Sequence, residues 1–295
     1  MNPYIILVVQ ILFSSGTYII ANAATQTVPA ANLTFLRTII SGVVYLVYLL
    51  YARLPFRYRG RDLALLLILG FLSVPINQFA FLYGVKYTTA TEAAILYSTT
   101  PILVLIVSSI YLKERITLPK IAGTLMAFIG VAAIVLEKGL RIGISHLKGD
   151  FFVFLAVIAW TLYTTLGRKL ILRHGAISST IYTALIGSAM FLPIGIWSSL
   201  SYSYSSLSTG QWGEIVYLSL ITSIVGYVLW YYALGKIEAS RVAVFTNGQP
   251  VTTAILAYIF LGQGISLTFA FGAAVTIGGV VVTQLEWKRT RKQEG

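Results

Sequence analysis

The sequence predicts an all-α, polytopic membrane protein in which ten transmembrane helices form two inverted five-helix repeats. Composition is the first observation behind this prediction: of 295 residues, 57% are hydrophobic and only 10% are charged, and the mean hydropathy is +0.84. Soluble domains carry about 25% charged residues. An internal repeat and an uneven distribution of Lys and Arg are the second and third observations.

Ten apolar segments are long enough to cross a bilayer, because about 20 residues of α-helix span its hydrocarbon core. Membrane β-barrels are excluded, since their strands are about 10 residues of alternating hydrophobicity. No basic segment precedes the first apolar run and no small-residue cleavage site follows it, so we expect a retained helix rather than a signal peptide. The predicted spans, numbered 1 to 10, cover residues 4–22, 33–51, 62–85, 91–112, 118–136, 150–171, 177–199, 211–234, 240–261 and 266–285.

One stretch, residues 83–130, occurs twice in the chain at a constant offset of 149 residues. The chain therefore divides into two related halves, 1–142 and 143–295, each with five spans and the second ending in a short basic tail. Internal symmetry in an apolar chain is typical of transporters built from repeats. The recurring residues are Tyr83, Ala90, Ala94, Pro101, Leu112, Ile116, Gly123 and Gly130, which match Tyr232, Ala239, Ala243, Pro250, Leu261, Ile265, Gly272 and Gly279.

Lys and Arg lie mainly on one side of the predicted bundle. Of these 21 residues, sixteen stand in or beside the loops after spans 2, 4, 6 and 8 or in the tail, and four stand on the opposite side. Positive residues favour the cytoplasm, so both termini are predicted there. The net charge of +12 is explained by these loops, and no nucleic-acid partner is expected.

The two halves are predicted to have inverted topology, because each contains an odd number of spans. Glu92 and Arg241 fit this inversion, since they are repeat equivalents of opposite charge. Glu92 begins its span on the outside, whereas Arg241 begins its span on the inside, where a cation is favoured.

Polar residues concentrate in spans 1, 3, 4, 6, 8 and 9, which we expect to surround a central cavity. In hydrocarbon, polar side chains face the bundle interior or a water-filled space. Spans 5 and 10 are rich in Gly and Ala instead, and small residues favour close helix contact, so we expect scaffold or homodimer contacts there. The residues predicted to bind a solute are Asn77, Gln78, Tyr97, Thr100, Trp160, Tyr163, Asn247 and Gln249.

Pro101 and Pro250 occupy equivalent mid-span positions in the two halves. A proline removes a backbone donor and frees a carbonyl, so each is predicted to kink its helix. Transmembrane helices also tolerate a proline without any functional role. The presence of a proline at the same position in both halves favours a functional kink.

Charged residues near the spans have two interpretations each. Arg37, the basic residue clearly inside a span, either snorkels to the outer interface or pairs with a carboxylate or an anionic solute group. Glu92 completes a capping box with Thr89 at a helix start, or serves as a coupling group. Glu114 is expected in a loop salt bridge. No Asp or Glu lies at mid-membrane, so we expect facilitated or weakly coupled transport.

Several classes of protein are excluded or disfavoured by what the sequence lacks. It has no cysteine and no Walker-type phosphate loop, so thiolate chemistry and an intrinsic ATPase are excluded. His146 and His174 are predicted in solvated loops on opposite sides of the membrane, so no metal site is expected. No catalytic residues and no cofactor are expected, and an enzyme is disfavoured. A channel is disfavoured, because the sequence contains neither a filter-like repeat nor a charged ring.

With these residues in view, the chain resembles the drug/metabolite transporter (DMT) superfamily, specifically its EamA-type ten-helix permeases. The resemblance covers nearly the full length. It implies inverted five-span repeats, a central cavity and alternating access, with export of amino acids, other metabolites or toxic compounds across the cytoplasmic (inner) membrane. Gly262-Gln263-Gly264 departs from the Leu-Gly-Glu-like sequence common in that family. The resemblance rests on Phe35-Leu36-Arg37, on 90–95 leading to Pro101, on 112–116, Gly123 and Gly130, on Ala159-Trp160 with Tyr163 and Arg168, and on 239–250.

The sequence therefore predicts a secondary transporter that exports small metabolites such as amino acids by alternating access. Its expected partners are a small-molecule solute and the lipid bilayer, with a homodimer as an open alternative. Uncharged polar and aromatic residues dominate the predicted cavity, which suits zwitterionic or partly apolar solutes better than polyanions. Two alternatives remain: a multidrug or toxic-compound efflux permease, and a non-transporting membrane scaffold or sensor.

Overall fold

The structure, a computed structural model, describes residues 2–137, 144–261 and 266–285. Within these ranges the chain forms helices joined by short connections, and no β-strand. The predicted boundary between the halves at 142/143, the Gly262-Gln263-Gly264 sequence and the basic tail lie outside the described residues. The α-helices are α1 (Pro3–Ser14), α2 (Thr17–Thr27), α3 (Ala30–Tyr51), α4 (Gly60–Phe71), α5 (Phe79–Val85), α6 (Ala90–Ser98), α7 (Thr100–Tyr111), α8 (Leu118–Leu136), α9 (Ile144–His174), α10 (Ala176–Ser199), α11 (Thr209–Val216), α12 (Tyr227–Leu234), α13 (Ala239–Ala243), α14 (Gly248–Leu261) and α15 (Leu267–Gln284).

Nine helical segments of the described chain are long and apolar enough to cross a membrane. The predicted span 9 is helical too, as α13, a 3-10 turn and α14. The fold is therefore that of an all-α, multi-pass membrane protein, as the hydropathy predicts. The nine segments are Pro3–Thr27, Ala30–Tyr51, Gly60–Val85, Glu92–Tyr111, Leu118–Leu136, His146–His174, Ala176–Ser199, Thr209–Leu234 and Leu267–Gln284.

Helix α9 is longer than the predicted span 6, because it extends past the apolar segment at both ends. His146 and His174 consequently lie on this helix, and their prediction as solvated loop residues is wrong. Each is held by a carboxylate: His146 Nδ1 lies 3.1 Å from Glu92 Oε2, and His174 Nε2 lies 2.9 Å from Asp62 Oδ2. Hydropathy marks where the apolar residues end, but it does not mark where such polar contacts continue a helix.

Spans 1, 3, 4, 8 and 9 are interrupted, whereas spans 2, 5, 6, 7 and 10 are continuous helices over their described lengths. Span 3 passes through a π-helical segment, Leu72–Gln78, which contains Pro75. Span 8 passes through another, Tyr217–Gly226, where Ser223 Oγ bonds to the Leu218 carbonyl five residues back. The two π segments overlap when the halves are aligned at the 149-residue offset. π-Helical turns are often found at functional sites.

The predicted kink prolines stand just after breaks in spans 4 and 9. Helix α6 ends before Thr99, and Pro101 lies in the first turn of α7. The backbone N–H groups of a first turn have no partner within the helix, so the N–H that proline lacks costs no helical hydrogen bond there. Span 9 runs through the 3-10 turn Val244–Asn247 before Pro250, which lies near the start of α14. The chain thus separates each span into two helical pieces at equivalent positions.

Helices α8 and α15, the predicted spans 5 and 10, pack against each other through glycine. A Cβ on Gly123 would lie 2.5 Å from the Gly279 carbonyl oxygen, and a Cβ on Gly130 would lie 2.5 Å from that of Gly272. Only glycine permits so close an approach of two backbones. The pairing of 123 with 279 and of 130 with 272 means that the helices run antiparallel. The predicted scaffold contact is confirmed, as one within the chain.

Large apolar side chains cover the outside of the bundle. On α3, for example, Val47 and Leu50 are 60% and 65% exposed. In a membrane such faces meet lipid, so their exposure carries no cost there.

Candidate functional site

A cavity of about 90 Å³ lies between the interrupted spans. One water needs about 10–15 Å³ on this kind of measure, so the space suits several waters or a small solute. The lining comes from the six spans in which polar residues concentrate, together with one residue of span 2. The lining residues are Gln10, Ser14, Thr17, Tyr18, Arg37, Asn77, Gln78, Phe81, Tyr97, Trp160, Thr222, Gly226, Tyr227, Trp230, Thr246 and Gln249.

Asn77 organises one wall of the cavity. The π segment of span 3 carries it, and its Nδ2 donates to Tyr97 Oη and to the Ala156 carbonyl, both at 2.9 Å. Its Oδ1 accepts a hydrogen bond of 3.2 Å from Tyr227 Oη. One amide therefore joins spans 3, 4, 6 and 8, and it fixes the direction in which two tyrosine rings face.

Aromatic rings line the cavity next to this polar network. Trp160 stands midway along α9 and packs against Tyr227 at 5.2 Å and Trp230 at 5.4 Å between ring centroids. Trp230 Nε1 donates to Thr164 Oγ1 at 3.1 Å, so its indole is satisfied within the protein. Rings of this kind offer a rigid apolar surface to a solute.

Arg37 lines the cavity from span 2 and is 2% exposed. Its Nη2 donates to Ser223 Oγ at 2.9 Å, and its Nε has no hydrogen-bond partner among the described residues. None of the ion pairs found in the described chain includes Arg37. Snorkelling to the interface is therefore excluded, and so is a carboxylate partner within the described residues. The cavity keeps a buried cation whose counter-charge the described protein does not supply.

Two amide oxygens beside the cavity also lack partners. Gln10 Oε1 and Gln78 Oε1 are buried and make no hydrogen bond within the described chain. Gln10 Nε2, by contrast, donates to Ser14 Oγ at 3.0 Å. An unsatisfied buried polar atom costs about 1–3 kcal/mol. The cavity therefore contains two acceptors, the glutamine oxygens, and one donor, Arg37 Nε, that a bound solute could satisfy.

Three of the predicted solute contacts do not line the cavity. Tyr163 is fully buried behind Trp160, where its hydroxyl lies 3.3 Å from Thr183 Oγ1. Thr100 and Asn247 are also fully buried, at the breaks of spans 4 and 9, among packed helices. Sequence places these residues in the correct spans but does not determine which side of the span they face. The predicted contacts that do line the cavity are Asn77, Gln78, Tyr97, Trp160 and Gln249.

The lining includes residues absent from the predicted set of solute contacts. In span 1, the residues Gln10, Ser14, Thr17 and Tyr18 line the cavity from one side. Their spacing is that of a single helical face, so a count of the helical period would have selected them. Tyr227 and Trp230, three residues apart in α12, show the same spacing. The other lining residues outside the set of predicted solute contacts are Phe81, Thr222, Gly226, Thr246 and Arg37.

Glu92 completes the capping box that the sequence predicts. Thr89 Oγ1 accepts from the Glu92 N–H at 3.0 Å, and Glu92 Oε2 accepts from the Thr89 N–H at 3.1 Å. The Thr88 hydroxyl lies 2.6 Å from Glu92 Oε2 and also 2.6 Å from Asp150 Oδ1. With His146, these groups bind the start of α6 to α9. A coupling role for Glu92 stays a prediction.

Glu114 is buried on the basic face, defined as the side that carries the loops after spans 2, 4, 6 and 8. Its carboxylate accepts from the N–H groups of Ala239 and Ser240 at 2.7 and 3.2 Å, at the start of α13. A carboxylate is favoured at a helix N-terminus because of the unpaired N–H groups there. The predicted salt bridge also forms, with Arg168 Nη1 at 3.6 Å. Glu114 thus links spans 4, 6 and 9.

Glu238 is the centre of a second ionic cluster on the basic face. Its Oε2 lies 3.1 Å from Lys120 Nζ and 2.7 Å from Arg241 Nε. Burial acts to raise the pKa of Glu238, but the hydrogen bond from Arg241 and the charge of Lys120 outweigh it, so the pKa lies below its ordinary value. This cluster ties α8 to α13.

A larger groove of about 550 Å³ lies between α1, α14 and α15. Its walls are almost entirely apolar, and several of its side chains, such as Leu12 and Val281, are half exposed on the outside of the bundle. In a bilayer such a surface is in contact with lipid chains. The smaller cavity, with its polar groups and aromatic rings, is the candidate solute site.

The model of the EamA-like transporter family matches this chain over residues 1–136 and again over 147–285. The chain belongs to the EamA-like transporter family. Each half of this EamA-like transporter is thus matched by itself, and the protein is identified as a transporter of the DMT superfamily rather than an enzyme.

Relatives of this EamA-like transporter agree with that assignment. It is 30% identical to the uncharacterized transporter YetK of Bacillus subtilis over 98% of this chain and 88% of YetK. It is 23% identical to a probable terminal-alkyne amino-acid exporter of Streptantibioticus cattleyicolor, over 77% of this chain and 74% of that protein. A solved crystal structure superposes with a TM-score of 0.79 at 20% identity, covering 96% of this chain and 98% of the other, which shows the shared fold.

Proposed function

We propose that this protein exports small metabolites such as amino acids across the cytoplasmic membrane by alternating access. The observation that carries the proposal is the buried cavity that spans from both halves enclose, with amide, hydroxyl and aromatic groups on its walls. Membrane-spanning transporters bind solutes near the midplane, between repeats and beside interrupted helices. The name of the Streptantibioticus relative supports amino acids as the solute class.

Counterflow into proteoliposomes tests this function. Purified protein is reconstituted with an unlabelled amino acid inside, and uptake of the same labelled amino acid is followed across a panel of apolar and polar members. We expect uptake of at least one member. Trp160→Ala, in the cavity wall, is expected to reduce it, whereas Trp197→Ala is the matched control, because Trp197 is 79% exposed on the outside of α10. No uptake of any panel member by the wild-type protein would contradict the proposal.

Transport is expected to be facilitated or weakly coupled, because no carboxylate of the described chain lines the cavity. The same vesicles test this with and without an imposed pH gradient. Accumulation that follows the gradient and that Glu92→Gln abolishes would show proton coupling through Glu92 instead.

Multidrug efflux is the second candidate function, and the aromatic wall around Trp160 favours it. Many toxic compounds are apolar cations, and tetraphenylphosphonium is a suitable probe. Binding of this cation in preference to every amino acid would favour efflux of drugs over export of metabolites.

A further inference from the structure

We propose that Arg37, Gln10 and Gln78 form a subsite for a zwitterion, in which Arg37 binds the carboxylate of the solute and the two glutamine oxygens bind its ammonium group. This inference rests on the proposed export of small metabolites and specifies their chemistry. It follows from the three cavity side chains that retain unpaired hydrogen-bonding atoms.

The carboxylate half of the subsite follows from the state of Arg37. A guanidinium in the membrane interior is expensive, and such residues normally face a partner or a solute path. Here the described partner is the neutral hydroxyl of Ser223, and Nε makes no bond within the described chain. No acidic residue lines the cavity in the described structure. A carboxylate from the solute would provide both the missing negative charge and two acceptor oxygens.

The ammonium half follows from the two glutamine oxygens. Gln10 is 5% exposed and Gln78 is 7% exposed, so bulk water does not satisfy Oε1 of either side chain. Both residues line the same small cavity as Arg37, from spans 1 and 3. An ammonium group has three donors and no acceptor, which is the complement of two free amide oxygens.

The charge balance of the cavity selects against a lone cation. Arg37 gives the lining a positive charge that no described lining residue cancels, so a cationic drug would be repelled while a neutral zwitterion would not. The rings of Trp160 and Tyr227 remain available for an apolar side chain. The subsite therefore fits an α-amino acid with an apolar side chain.

Ligand series test the subsite on the unaltered protein. The probes are L-leucine, isoamylamine, which lacks the carboxylate, and isocaproate, which lacks the ammonium group; L-phenylalanine, phenethylamine and hydrocinnamate form a second series. Binding is measured through the thermal stabilisation of the purified protein as a function of ligand concentration. In at least one series, each truncated compound is expected to bind about ten- to a hundredfold more weakly than the amino acid, the usual loss for a hydrogen bond to a charged group.

Two variants assign the charged groups of the ligand to residues. Arg37→Gln is expected to weaken amino-acid binding by about ten- to a hundredfold and to leave the amine unaffected or bound more tightly. Gln78→Leu is expected to weaken amino-acid binding while the carboxylate analogue is unaffected. Lys120→Gln is the matched control, since it removes another buried cation, 1% exposed, that lies on the basic face and not in the cavity. Lys120→Gln should leave the ratio of the affinities for amino acid and amine unchanged.

The outcomes separate this proposal from the proposed function. If amino acids are transported but the amine binds as well as the amino acid, the subsite is wrong while export stands. The same conclusion follows if the folded Arg37→Gln variant has the same ratio of affinities for amino acid and amine as the wild-type protein. If Arg37→Gln does not fold, the ligand series on the wild-type protein still decides. Preference for tetraphenylphosphonium, or no binding and no transport of any amino acid, would overturn both.

Discussion

Asn77 shows how much of the cavity depends on one side chain. Its amide bonds with Tyr97 and Tyr227 and with the Ala156 carbonyl, so a single group positions residues of three other spans. A hydrogen bond contributes about 0.5–1.5 kcal/mol net, and leaving its partner unsatisfied costs more. The polar wall is therefore a network and not a row of independent contacts.

Replacing Asn77 should weaken the fold more than replacing one of its partners. We expect Asn77→Ala to lower the free energy of unfolding by about 2–3 kcal/mol, and Tyr97→Phe, which removes one of the bonds, by about 1 kcal/mol. Thermal unfolding of the detergent-solubilised protein measures both. Equal stability of the two variants would show that the network adds nothing beyond single bonds.

At this scale, sequence predicts which spans carry the cavity residues but not which residues face it. Trp160 and Tyr163 are three residues apart on α9 and stack at 5.6 Å, yet only Trp160 reaches the cavity. Arg37 illustrates the converse. Its position in the sequence allows both snorkelling and burial, and only the surrounding helices decide between them, because they determine whether a route to the interface exists.

The N-termini of α6 and α13 show how one element diverged between the halves. Thr89 and Glu238 are repeat equivalents, and so are Glu92 and Arg241. At the start of α6, Thr89 and Glu92 form a capping box. At the start of α13, Glu238 and Arg241 form an ion pair instead, with 2.7 Å between Oε2 and Nε. The N–H contacts differ as well: the N–H groups of the first two residues of α13 donate to the carboxylate of Glu114. The same register is retained with different chemistry.

The Glu238 cluster should make the stability of the protein depend on pH. The folded pKa of Glu238 lies below its ordinary value of 4.5, so the carboxylate stabilises the fold above that pH and the contribution is lost as the pH falls through the folded pKa. We expect the wild-type protein to lose more stability than Glu238→Gln between about pH 7 and about pH 4. Thermal unfolding at both pH values measures this. Identical losses would mean that the cluster is not coupled to folding.

The contact between α8 and α15 gives a test at a matched pair of glycines. Gly130→Ala places a Cβ 2.5 Å from the Gly272 carbonyl oxygen and 2.6 Å from the Thr276 nitrogen, whereas a Cβ at Gly278, on α15, meets only Met126 Cε at 3.8 Å. We expect Gly130→Ala to destabilise by about 1–3 kcal/mol through overpacking. Gly278→Ala should be neutral or stabilising by up to about 1 kcal/mol, since alanine is the better helix former. Thermal unfolding distinguishes them, and equal effects would contradict the packing.

Element boundaries follow from the sequence where the signal is local. Pro101 and Pro250 predict interruptions, and the helices break just before both. The π segment of span 8 contains no proline, and Ser223 within it accepts a hydrogen bond from Arg37 of span 2, a tertiary contact that the sequence does not predict. The ends of α9 lie beyond the predicted span 6 for a similar reason, since carboxylates from other spans bind His146 and His174.

For the whole molecule, the crossing of α8 and α15 supports the inverted repeat. Gly123 is the equivalent of Gly272 and Gly130 that of Gly279, yet Gly123 meets Gly279 and Gly130 meets Gly272. This reciprocal exchange is what a two-fold axis between the helices produces. Because the helices are antiparallel, that axis would lie in the membrane plane, as inverted topology requires. The inverted relation of all ten spans stays a prediction.

The charge distribution predicts the orientation of the molecule in the membrane, and a chain without cysteine makes the test direct. Single substitutions Arg59→Cys and Arg115→Cys mark the basic face, and Lys86→Cys and Ser205→Cys mark the opposite face; all four positions are exposed. Because the predicted topology assigns sixteen of the 21 Lys and Arg residues to the side of the basic face, we expect that face in the cytoplasm. A membrane-impermeant maleimide should then label positions 86 and 205 in intact cells and label 59 and 115 only after the membrane is opened.

The cysteine-free wild-type protein gives the background. Labelling of 59 and 115 in intact cells would reverse the assignment, and labelling of all four would indicate a protein inserted in both orientations.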